Sequence, residues 1–313
     1  MPDRAGLISR FLAETDHAGW TRTPIAGDAS RRRYERLQNG DRSRILMDAA
    51  PETGEDTRPF LAIARHLRGR GLAAPDIVHA DPEAGLLLLE DLGPSHFADH
   101  LRTRPDDEIR LYTAATDVLA ELQRHAPPPG LQRLDPTTGA EMLAPLFEWR
   151  AAEADAPAIR AATAAALARC RAPEALSLRD FHAENLVWRP ERDGTDRVGL
   201  LDFQDAFLAP PAYDLASLLD DARRDIAEAT REAATRRFAE LTGTAHAELT
   251  AELATLSVQR NLRILGIFAR LIARDGKDRY AAFVPRVEAR LAARLVHPAL
   301  ADLRRLVGPW LPC

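Results

Sequence analysis

The first ninety or so residues alternate between helical and extended hydrophobic patterns. Apolar side chains within Leu7–Leu12 fall on one face at helical spacing, which predicts an amphipathic helix over about the first twelve residues. Asn39-Gly40 separates two extended-looking runs and is a strong hairpin signal. We therefore expect antiparallel strands at about 32–38 and about 42–48.

A second helix and two further strands follow. Thr57-Arg58-Pro59 opens a segment whose apolar residues repeat at helical spacing until Gly69. Two apolar runs, Ile77–His79 and Leu86–Leu89, flank the turn sequence D-P-E-A-G, and the second leads directly into Glu90–Gly93. These patterns predict a small antiparallel sheet with a helix.

The spacing becomes helical after about residue 95. Apolar positions repeat every three or four residues from Tyr112 to Leu122, and Pro127–Pro129 ends that pattern. Met142–Trp149, the alanine-rich stretch that follows it and most of the chain after Arg224 also have helical spacing. With 313 residues, the chain fits an α+β fold of two lobes: a small antiparallel-sheet lobe over 1–92 and a larger, mainly helical lobe over 93–313.

Composition excludes several classes of protein. The net charge is −5 and the pI is about 6.0, whereas nucleic-acid-binding domains usually carry a basic excess. The chain has no apolar run long enough to cross a membrane and no signal-peptide pattern, so we expect a cytoplasmic protein. Cys170 and Cys313 have no CxxC partner, which argues against a disulfide framework or a zinc site. Lys277 is the only lysine, so nearly all the positive charge is arginine.

One segment carries the pattern of phosphotransfer chemistry. In L-R-D-F-H-A-E-N-L, Asp180 and Asn185 form a D-x-x-x-x-N pair, and Asp202 follows the apolar run V-G-L-L. Two short apolar runs separated by Pro190 and Gly194 predict a hairpin with Asn185 and Asp202 at adjacent strand ends. An amide and a carboxylate oxygen suit Mg²⁺ bound with ATP, and Asp180 would then be the base. Either half alone could be an ordinary capped turn.

Candidate nucleotide contacts lie in the first lobe. The loop from Gly27 to Arg33 has one glycine, where a glycine-rich phosphate loop would have three, but Ser30 and Arg33 could contact phosphate oxygens. Arg31 and Arg32, taken singly, could equally belong to a solvated basic turn. No lysine occupies the strand at 42–48, and Arg44 is a candidate replacement.

Candidate substrate contacts lie mainly in the second lobe. Glu148, between two aromatic residues, could bind a sugar hydroxyl, and His182 within the catalytic segment suits a structural or substrate hydrogen bond. Arg260 and Asn261 interrupt a hydrophobic helix, so they either join a structural network or face a polar cavity. Asp214 reads as the N-cap of a helix. Gln204 and Asp205, in L-L-D-F-Q-D, complete the candidate substrate residues.

With these motifs in place, the chain resembles the aminoglycoside phosphotransferase superfamily of protein-kinase-like small-molecule kinases. Segments such as G-D-A-S-R-R-R-Y, L-L-L-E-D-L-G, L-F-E-W and Q-R-N-L-R-I-L-G are similar to one branch, the anomeric N-acetylmuramate/N-acetylglucosamine kinases of bacterial cell-wall recycling. The resemblance covers nearly the whole chain. It implies a two-lobed, protein-kinase-like fold.

The resemblance also implies the reaction. ATP with Mg²⁺ would phosphorylate the C1 hydroxyl of the amino sugar, giving an α-1-phosphate for a uridylyltransferase. Asp180 would be the base, Asn185 and Asp202 the metal ligands, Glu90 and Leu92 the hinge that binds adenine, and Asp214 the residue that buttresses the catalytic loop. The alternatives are another small-molecule kinase, for an aminoglycoside, choline, homoserine or a fructosamine, and a pseudokinase, for which the missing strand lysine and single-glycine loop argue.

Overall fold

The computed structural model describes residues 3–25 and 31–311, which fold into helices and strands joined by turns and loops. In chain order the elements are α1 Arg4–Ala13, β1 Thr21–Ile25, β2 Arg33–Asn39, β3 Arg42–Asp48, α2 Arg58–Arg68, β4 Ile77–Asp81, β5 Leu86–Glu90, α3 Phe97–Thr103, α4 Glu108–Leu122, α5 Pro136–Glu141, α6 Ala144–Trp149, α7 Ala156–Leu167, β6 Ala175–Ser177, β7 Leu186–Trp188, β8 Val198–Leu200, β9 Phe207–Ala209, α8 Tyr213–Leu219, α9 Glu228–Thr242, α10 His246–Ala273, α11 Val284–Leu295 and α12 Ala301–Val307.

The first strands form an antiparallel sheet of order β1-β2-β3-β5-β4. The predicted β2–β3 hairpin is confirmed, and its pairing runs through Asn39 and Arg42, so the turn itself is Gly40-Asp41. Gly40 has a φ of 58°, a conformation that glycine adopts at little cost. Inner strand β5 is buried on both faces, which explains its unbroken run of leucines.

One face of this sheet packs against α1 and forms a small core. The apolar stripe of α1 supplies three of its side chains, as the helical spacing predicted, Trp20 precedes β1, and alternate residues of the strands supply the rest. β1 was not predicted, because all five of its residues are exposed and it therefore lacks the apolar alternation that marks a strand. The core residues are Ile8, Phe11, Leu12, Trp20, Leu37, Leu46, Leu86 and Leu88.

The chain divides into two compact units. The sheet unit comprises 1–96 and 186–205, and the helical unit comprises 97–185 and 206–313. The predicted hairpin of β7 and β8 is present and belongs to the sheet unit, where the Trp188 N–H donates to Ser95 O at 2.7 Å and the Leu200 N–H donates to Ala73 O at 2.9 Å. The lobe boundary at residue 92 remains a prediction.

The helical unit is built around α10, a helix of 28 residues. Its apolar side chains form a core with α6, α7, α11 and α12. A Cβ atom at Gly266 of α10 would lie 2.2 Å from the Leu146 backbone nitrogen, so only glycine lets α6 approach this closely. The α+β class, with an antiparallel sheet near the N-terminus and a mostly helical second part, is confirmed. No helix within the described ranges is long and apolar enough to cross a membrane.

Candidate active site

A buried carboxylate holds the backbone of the catalytic loop, residues 178–185. Asp214 is 3% exposed; its Oδ1 accepts hydrogen bonds from Ser177 Oγ at 2.6 Å and from the Arg179 N–H at 3.0 Å, and its Oδ2 accepts from the Leu178 N–H at 2.6 Å. Burial raises the pKa of Asp214 to about 6, although these hydrogen bonds act to lower it. The expected N-cap role is wrong, because Ala212 occupies the N-cap of α8 and Asp214 lies in the first turn.

The hydrogen bonds to Asp214 fix the backbone immediately before Asp180. Arg179 has a φ of 71°, in the left-handed region that costs a residue with a side chain roughly 1–2 kcal/mol. Its N–H is bound by Asp214, and its carbonyl oxygen accepts from Arg260 Nη1 at 2.9 Å. Within residues 3–25 and 31–311, no hydrogen bond or ion pair engages the Asp180 carboxylate. Asp180 is therefore a carboxylate on a rigid loop with its acceptor capacity available to a ligand.

Asn185 is oriented by the same loop. Its Nδ2 donates to the Asp180 carbonyl oxygen at 2.9 Å and lies 3.4 Å from His182 Nε2, and its backbone N–H donates to His182 O at 2.9 Å. These two contacts involve the NH₂ end of the amide, so Oδ1 lies at the end that does not face Asp180 O. That oxygen is the hard donor that a magnesium ion would use.

His182 is a buried, neutral positioning residue. Its Nε2 lies 3.3 Å from Arg223 Nη1 and 3.4 Å from Asn185 Nδ2, and both of these groups are donors, so Nε2 accepts and the ring proton belongs on Nδ1. Burial lowers the pKa of His182, and the positive charge of Arg223 lowers it further, against the opposing charge of Asp221. The imidazole thus helps to hold the Asn185 amide.

Arg260 and Asn261 are neighbours on helix α10, and Arg260 reaches the loop at 178–185. Arg260 donates from Nη1 to Arg179 O and from Nη2 to Ser217 Oγ at 2.6 Å, and its guanidinium lies 4.9 Å from the Tyr213 ring centroid. These contacts make Arg260 part of the support of the catalytic loop. Asn261 is 1% exposed, and its Nδ2 has no hydrogen-bond partner among the residues that the structure describes.

Asp202, the second acidic residue proposed for catalysis after Asp180, lies in the sheet unit. Asp202 follows β8 with a φ of 58°, and its Oδ1 accepts from Gln204 Nε2 at 2.8 Å. Arg32 Nη1 lies 3.9 Å from the same oxygen, and Arg32 Nε donates to Glu55 Oε2 at 2.8 Å. Only 11% of the Arg32 side chain is exposed, so it is not the solvated turn residue considered above. Arg32, Glu55 and Asp202 form a charged group within one unit.

Hydrogen bonds and an ion pair within the sheet unit hold the backbone of the predicted hinge. The Glu90 N–H donates to Asp76 O at 2.8 Å, and Glu90 Oε2 accepts from the Asp76 N–H at 3.1 Å. Asp91 accepts from the Gly93 N–H at 3.0 Å and pairs with Arg36 at 2.7 Å. Leu92 is buried. The adenine contacts of Glu90 and Leu92 remain predictions.

Three further residues were predicted to contact the nucleotide phosphates: Ser30, Arg33 and Arg44. Ser30 lies outside the described residues, and Arg33 is exposed at the start of β2. Arg44 is paired with Leu37 across the strands, which places it on the sheet face that packs against α1, and its Nη1 donates to Ser43 O at 2.8 Å. The phosphate contacts of all three remain predictions.

Two substrate candidates are exposed, and one has a buried polar atom without a partner. Glu148 lies on the exposed side of α6, and Asp205 is exposed at the end of the 186–205 segment. Gln204 Oε1 is buried without a hydrogen-bond partner in the described ranges, although Nε2 of the same amide binds Asp202. Gln204 therefore orients Asp202 with one end and presents an acceptor with the other.

The sequence pattern missed the groups that act through distant partners. Glu55 and Arg223 lie in no motif, and their contacts to Arg32 and to Glu184 join residues 23 and 39 positions apart. The only available signal was composition, because a chain with almost no lysine must use arginine wherever it needs a fixed positive charge.

The donor atoms fit magnesium. Asn185 offers an amide oxygen and Asp202 a carboxylate, and Mg²⁺ is usually bound by one or two carboxylates while phosphates and waters complete its shell. Within the described ranges no group of three or more His, Cys, Asp or Glu side chains could hold a metal. A magnesium ion bound by either residue would depend on nucleotide phosphates and waters for further ligands.

Together, the antiparallel sheet, the helical unit and a loop that presents Asp180 and Asn185 define a protein-kinase-like phosphotransferase, which transfers a phosphoryl group to a hydroxyl acceptor. The chain belongs to the phosphotransferase enzyme family, whose model matches residues 21–251. It is 38% identical to an N-acetylmuramate/N-acetylglucosamine kinase of Caulobacter vibrioides, over 99% of this chain and 97% of that protein. A protein of the same name from Pseudomonas aeruginosa is 34% identical, over 96% and 93%.

Solved structures share the fold at low sequence identity. A choline/ethanolamine kinase family protein from Mesorhizobium loti superposes with a TM-score of 0.68 at 17% identity, covering 97% of this chain and all of that one. The GDP complex of wild-type aminoglycoside 2'-phosphotransferase-IIIa has a TM-score of 0.66 at 14% identity, covering 92% of this chain and 99% of that one. These likenesses confirm the kinase-like fold.

Proposed function

We propose that the protein is an ATP-dependent kinase that phosphorylates the anomeric C1 hydroxyl of N-acetylmuramate and N-acetylglucosamine. The product would be the α-1-phosphate, which a cytoplasmic uridylyltransferase could convert to a UDP-sugar during peptidoglycan recycling. The observation that carries the proposal is the Asp180 carboxylate, which has no partner among the described residues and lies on a loop that Asp214 holds, in a chain 38% identical over nearly its full length to a kinase named for these two sugars.

The proposed chemistry assigns one task to each group. Asp180 accepts the proton of the attacking hydroxyl, whose oxygen forms a bond to the γ-phosphorus while the bond to the β–γ bridging oxygen breaks and ADP leaves. Asn185 and Asp202 would hold Mg²⁺, which neutralises charge on the phosphates. Leu186 pairs with Leu200, and Asn185 precedes β7 while Asp202 comes shortly after β8, so the hairpin connects the two residues at its open end, which supports a shared role.

The remaining assignments follow the two lobes. We assign nucleotide binding to 1–92, with Glu90 and Leu92 at the adenine and Ser30 and Arg33 at the phosphates. We add Arg32, because it is paired with Glu55 and is a largely buried cation 3.9 Å from Asp202. We assign catalysis and sugar binding to 93–313. The sugar contacts proposed in this lobe and in the segment L-L-D-F-Q-D are Glu148, His182, Gln204, Asp205 and Asn261. Arg260 supports the catalytic loop through its hydrogen bond to Arg179 O.

The test is phosphate transfer from ATP to each free sugar and to its 1-O-methyl glycoside, with the product position read by phosphorus NMR. We expect both free sugars to react and neither glycoside to do so, since the methyl group blocks C1. Asp180→Asn should abolish turnover yet keep nucleotide binding, measured by calorimetry. Phosphorylation of the glycosides would move the acceptor away from C1, and transfer only to aminoglycosides or choline would replace the proposed substrate class.

A further inference from the structure

A strained turn lies directly before the candidate base. The Asp180 N–H donates to Leu178 O at 2.9 Å, and Arg179, between them, has a φ of 71°. A hydrogen bond that spans three residues around such an angle makes a γ-turn of the rarer kind, which is strained for any residue with a side chain. Among the residues that the structure describes, only Arg179 and Asp202 combine a side chain with a positive φ. The turn at Arg179 therefore needs contacts from elsewhere in the fold to keep its shape.

Two buried side chains hold the two polar groups of the Arg179 backbone. Its N–H donates to Asp214 Oδ1 at 3.0 Å, and its carbonyl oxygen accepts from Arg260 Nη1 at 2.9 Å. That carbonyl belongs to the peptide group that joins Arg179 to Asp180, and a peptide group is planar. Arg260 therefore fixes the orientation of the peptide that leads into the candidate base.

The Arg260 guanidinium is itself held in place. Arg260 is 7% exposed, its Nη2 donates to Ser217 Oγ at 2.6 Å, and its guanidinium lies 4.9 Å from the Tyr213 ring centroid. Ser217 Oγ also lies 3.4 Å from Arg179 O, so a guanidinium, a hydroxyl and a carbonyl form a closed group of three. A planar fork with two engaged nitrogens fixes an acceptor more rigidly than an ammonium would. Both terminal nitrogens of Arg260 are thus used by the protein itself.

Two simpler roles for Arg260 lead to different expectations. If it only joined α10 to α8, its loss would lower stability and leave the rate of transfer unchanged. If it bound the carboxylate of N-acetylmuramate, its loss would raise the KM for that sugar alone. The first role does not explain why the acceptor is the carbonyl of the strained residue, and the engaged nitrogens argue against the second.

We propose that Arg260 is a positioning residue for phosphoryl transfer, which acts through the carbonyl oxygen of Arg179 and keeps the strained turn that directs Asp180 at the acceptor hydroxyl. This inference rests on the proposed role of Asp180 as the base. Its consequence is that the reaction depends on Arg260 only while residue 179 carries a side chain. Glycine adopts a positive φ about as readily as a negative one, so a glycine at this position keeps the turn without Arg260.

The experiment measures the effect of Arg260→Gln on the rate of a single turnover in three backgrounds. In the parent, the rate with either sugar should fall about 10- to 100-fold, because misplacing a reacting group by about 1 Å costs that much. The KM values for both sugars and ATP should change by less than about threefold, since the proposal gives Arg260 no contact with them. With Arg179→Gly, Arg260→Gln should cost less than about threefold. With Arg179→Ala it should cost as much as in the parent, because alanine removes the arginine side chain but keeps the strain.

Two further variants separate positioning from folding. Gln259→Met is the matched control, because Gln259 precedes Arg260 on α10, is 1% exposed and donates to Gly139 O at 2.9 Å. Both substitutions remove a buried hydrogen bond from α10 to a backbone carbonyl, so both should lower the melting temperature, but only Arg260→Gln should slow transfer. Arg260→Lys should restore part of the rate, since an ammonium keeps the charge and a donor without the fork.

Hydrogen exchange tests the turn without any substrate. The N–H groups of Leu178 and Arg179 donate to Asp214, so their exchange with deuterium reports opening of the turn. Mass spectrometry should show faster exchange of the peptide that covers 178–180 in Arg260→Gln and no change there in Gln259→Met. Unchanged exchange in Arg260→Gln would overturn the proposal whatever the acceptor sugar is.

The kinetic outcomes are distinct. A selective rise of KM for N-acetylmuramate would assign Arg260 to the sugar carboxylate, and a lower melting temperature with unchanged transfer would leave it a structural residue; either result overturns the proposal. Equal losses in the Arg179→Gly and Arg179→Ala backgrounds would also overturn it, because the effect would not pass through the backbone of residue 179. If the parent phosphorylates neither sugar, the proposed function fails by itself, and hydrogen exchange still decides whether Arg260 holds the turn.

Discussion

Asp214 shows how one side chain can set the geometry of a whole loop. Its carboxylate receives hydrogen bonds from a hydroxyl and two backbone N–H groups that lie 35 to 37 residues earlier in the chain. These bonds hold Arg179 in a left-handed conformation that it would otherwise leave, and so fix the direction in which Asp180 emerges. The positioning depends on Asp214 remaining ionised, since a carboxylate accepts at both oxygens and a protonated acid does not.

Activity should therefore fall as the pH decreases through about 6, the raised pKa of Asp214. Stability should move the other way. The Asp214 carboxyl takes up its proton near pH 6 in the folded protein but only near its ordinary pKa of 3.8 in the unfolded chain. Between these two pH values, this group by itself therefore stabilises the fold as the pH falls. The measurements are kcat and melting temperature against pH. Asp214→Asn should have a low kcat without this acid limb, and an unchanged limb in that variant would exclude Asp214 as its cause.

Arg32 is a second residue whose proposed role, in ATP binding, follows from its side-chain contacts and not from a sequence motif. Arg32→Gln should raise the Kd for ATP by about 10- to 100-fold, because it removes a largely buried cation beside Asp202. Glu55→Gln should produce a smaller loss, because it frees Arg32 from the ion pair that orients it. Calorimetric titration of ATP without sugar measures both effects. Arg31→Gln is the control, since Arg31 is exposed, and a larger loss there than at Arg32 would contradict the assignment.

Among the secondary-structure elements, those with long hydrophobic periodicity were predictable. The stripe of α1, the β2–β3 hairpin and α4 follow directly from apolar spacing and turn residues. β1 has no buried residue, and β6 and β9 have three residues each, too few for a period to be recognised. Asp214 was taken for an N-cap because local rules fit it, whereas the partners that determine its role are distant in sequence.

The packing of α6 on α10 gives a test of element geometry. Gly266→Ala would gain helix propensity, about 1 kcal/mol in an exposed position, but its Cβ would meet the backbone of Leu146 at 2.2 Å. Backbone cannot yield as a side chain can, so we expect a net loss of ~1–3 kcal/mol in the free energy of unfolding. Urea denaturation measures it. Gly6→Ala in α1, where the nearest atom is 3.8 Å away, should be neutral or stabilising; a stabilised Gly266→Ala would show that α6 is not held by this contact.

Taken as a whole, the molecule carries its positive charge almost entirely on arginine. Lys277 is the only lysine, and it precedes a short 3-10 helix at 278–283, far along the chain from both the catalytic loop and the Arg32 pair. The phosphate-binding lysine that a kinase usually carries on a strand therefore has no counterpart in the sheet. Guanidinium groups keep their charge at any physiological pH, so arginine can take its place in neutralising phosphate, although with a planar fork in place of a point charge.

This composition predicts opposite responses to two chemical modifications. Reductive methylation of amines should leave kcat/KM within about twofold of the untreated protein, because the proposed chemistry gives Lys277 and the N-terminal amine no part in transfer and methylation retains their charge. Phenylglyoxal, which modifies guanidinium groups, should abolish activity, and ATP should slow that loss by covering Arg32. Lys277→Arg is the control for the first treatment, and it should be as active as the parent before and after methylation. Inactivation by methylation that Lys277→Arg prevents would show that the single lysine, and not an arginine, supplies the essential charge.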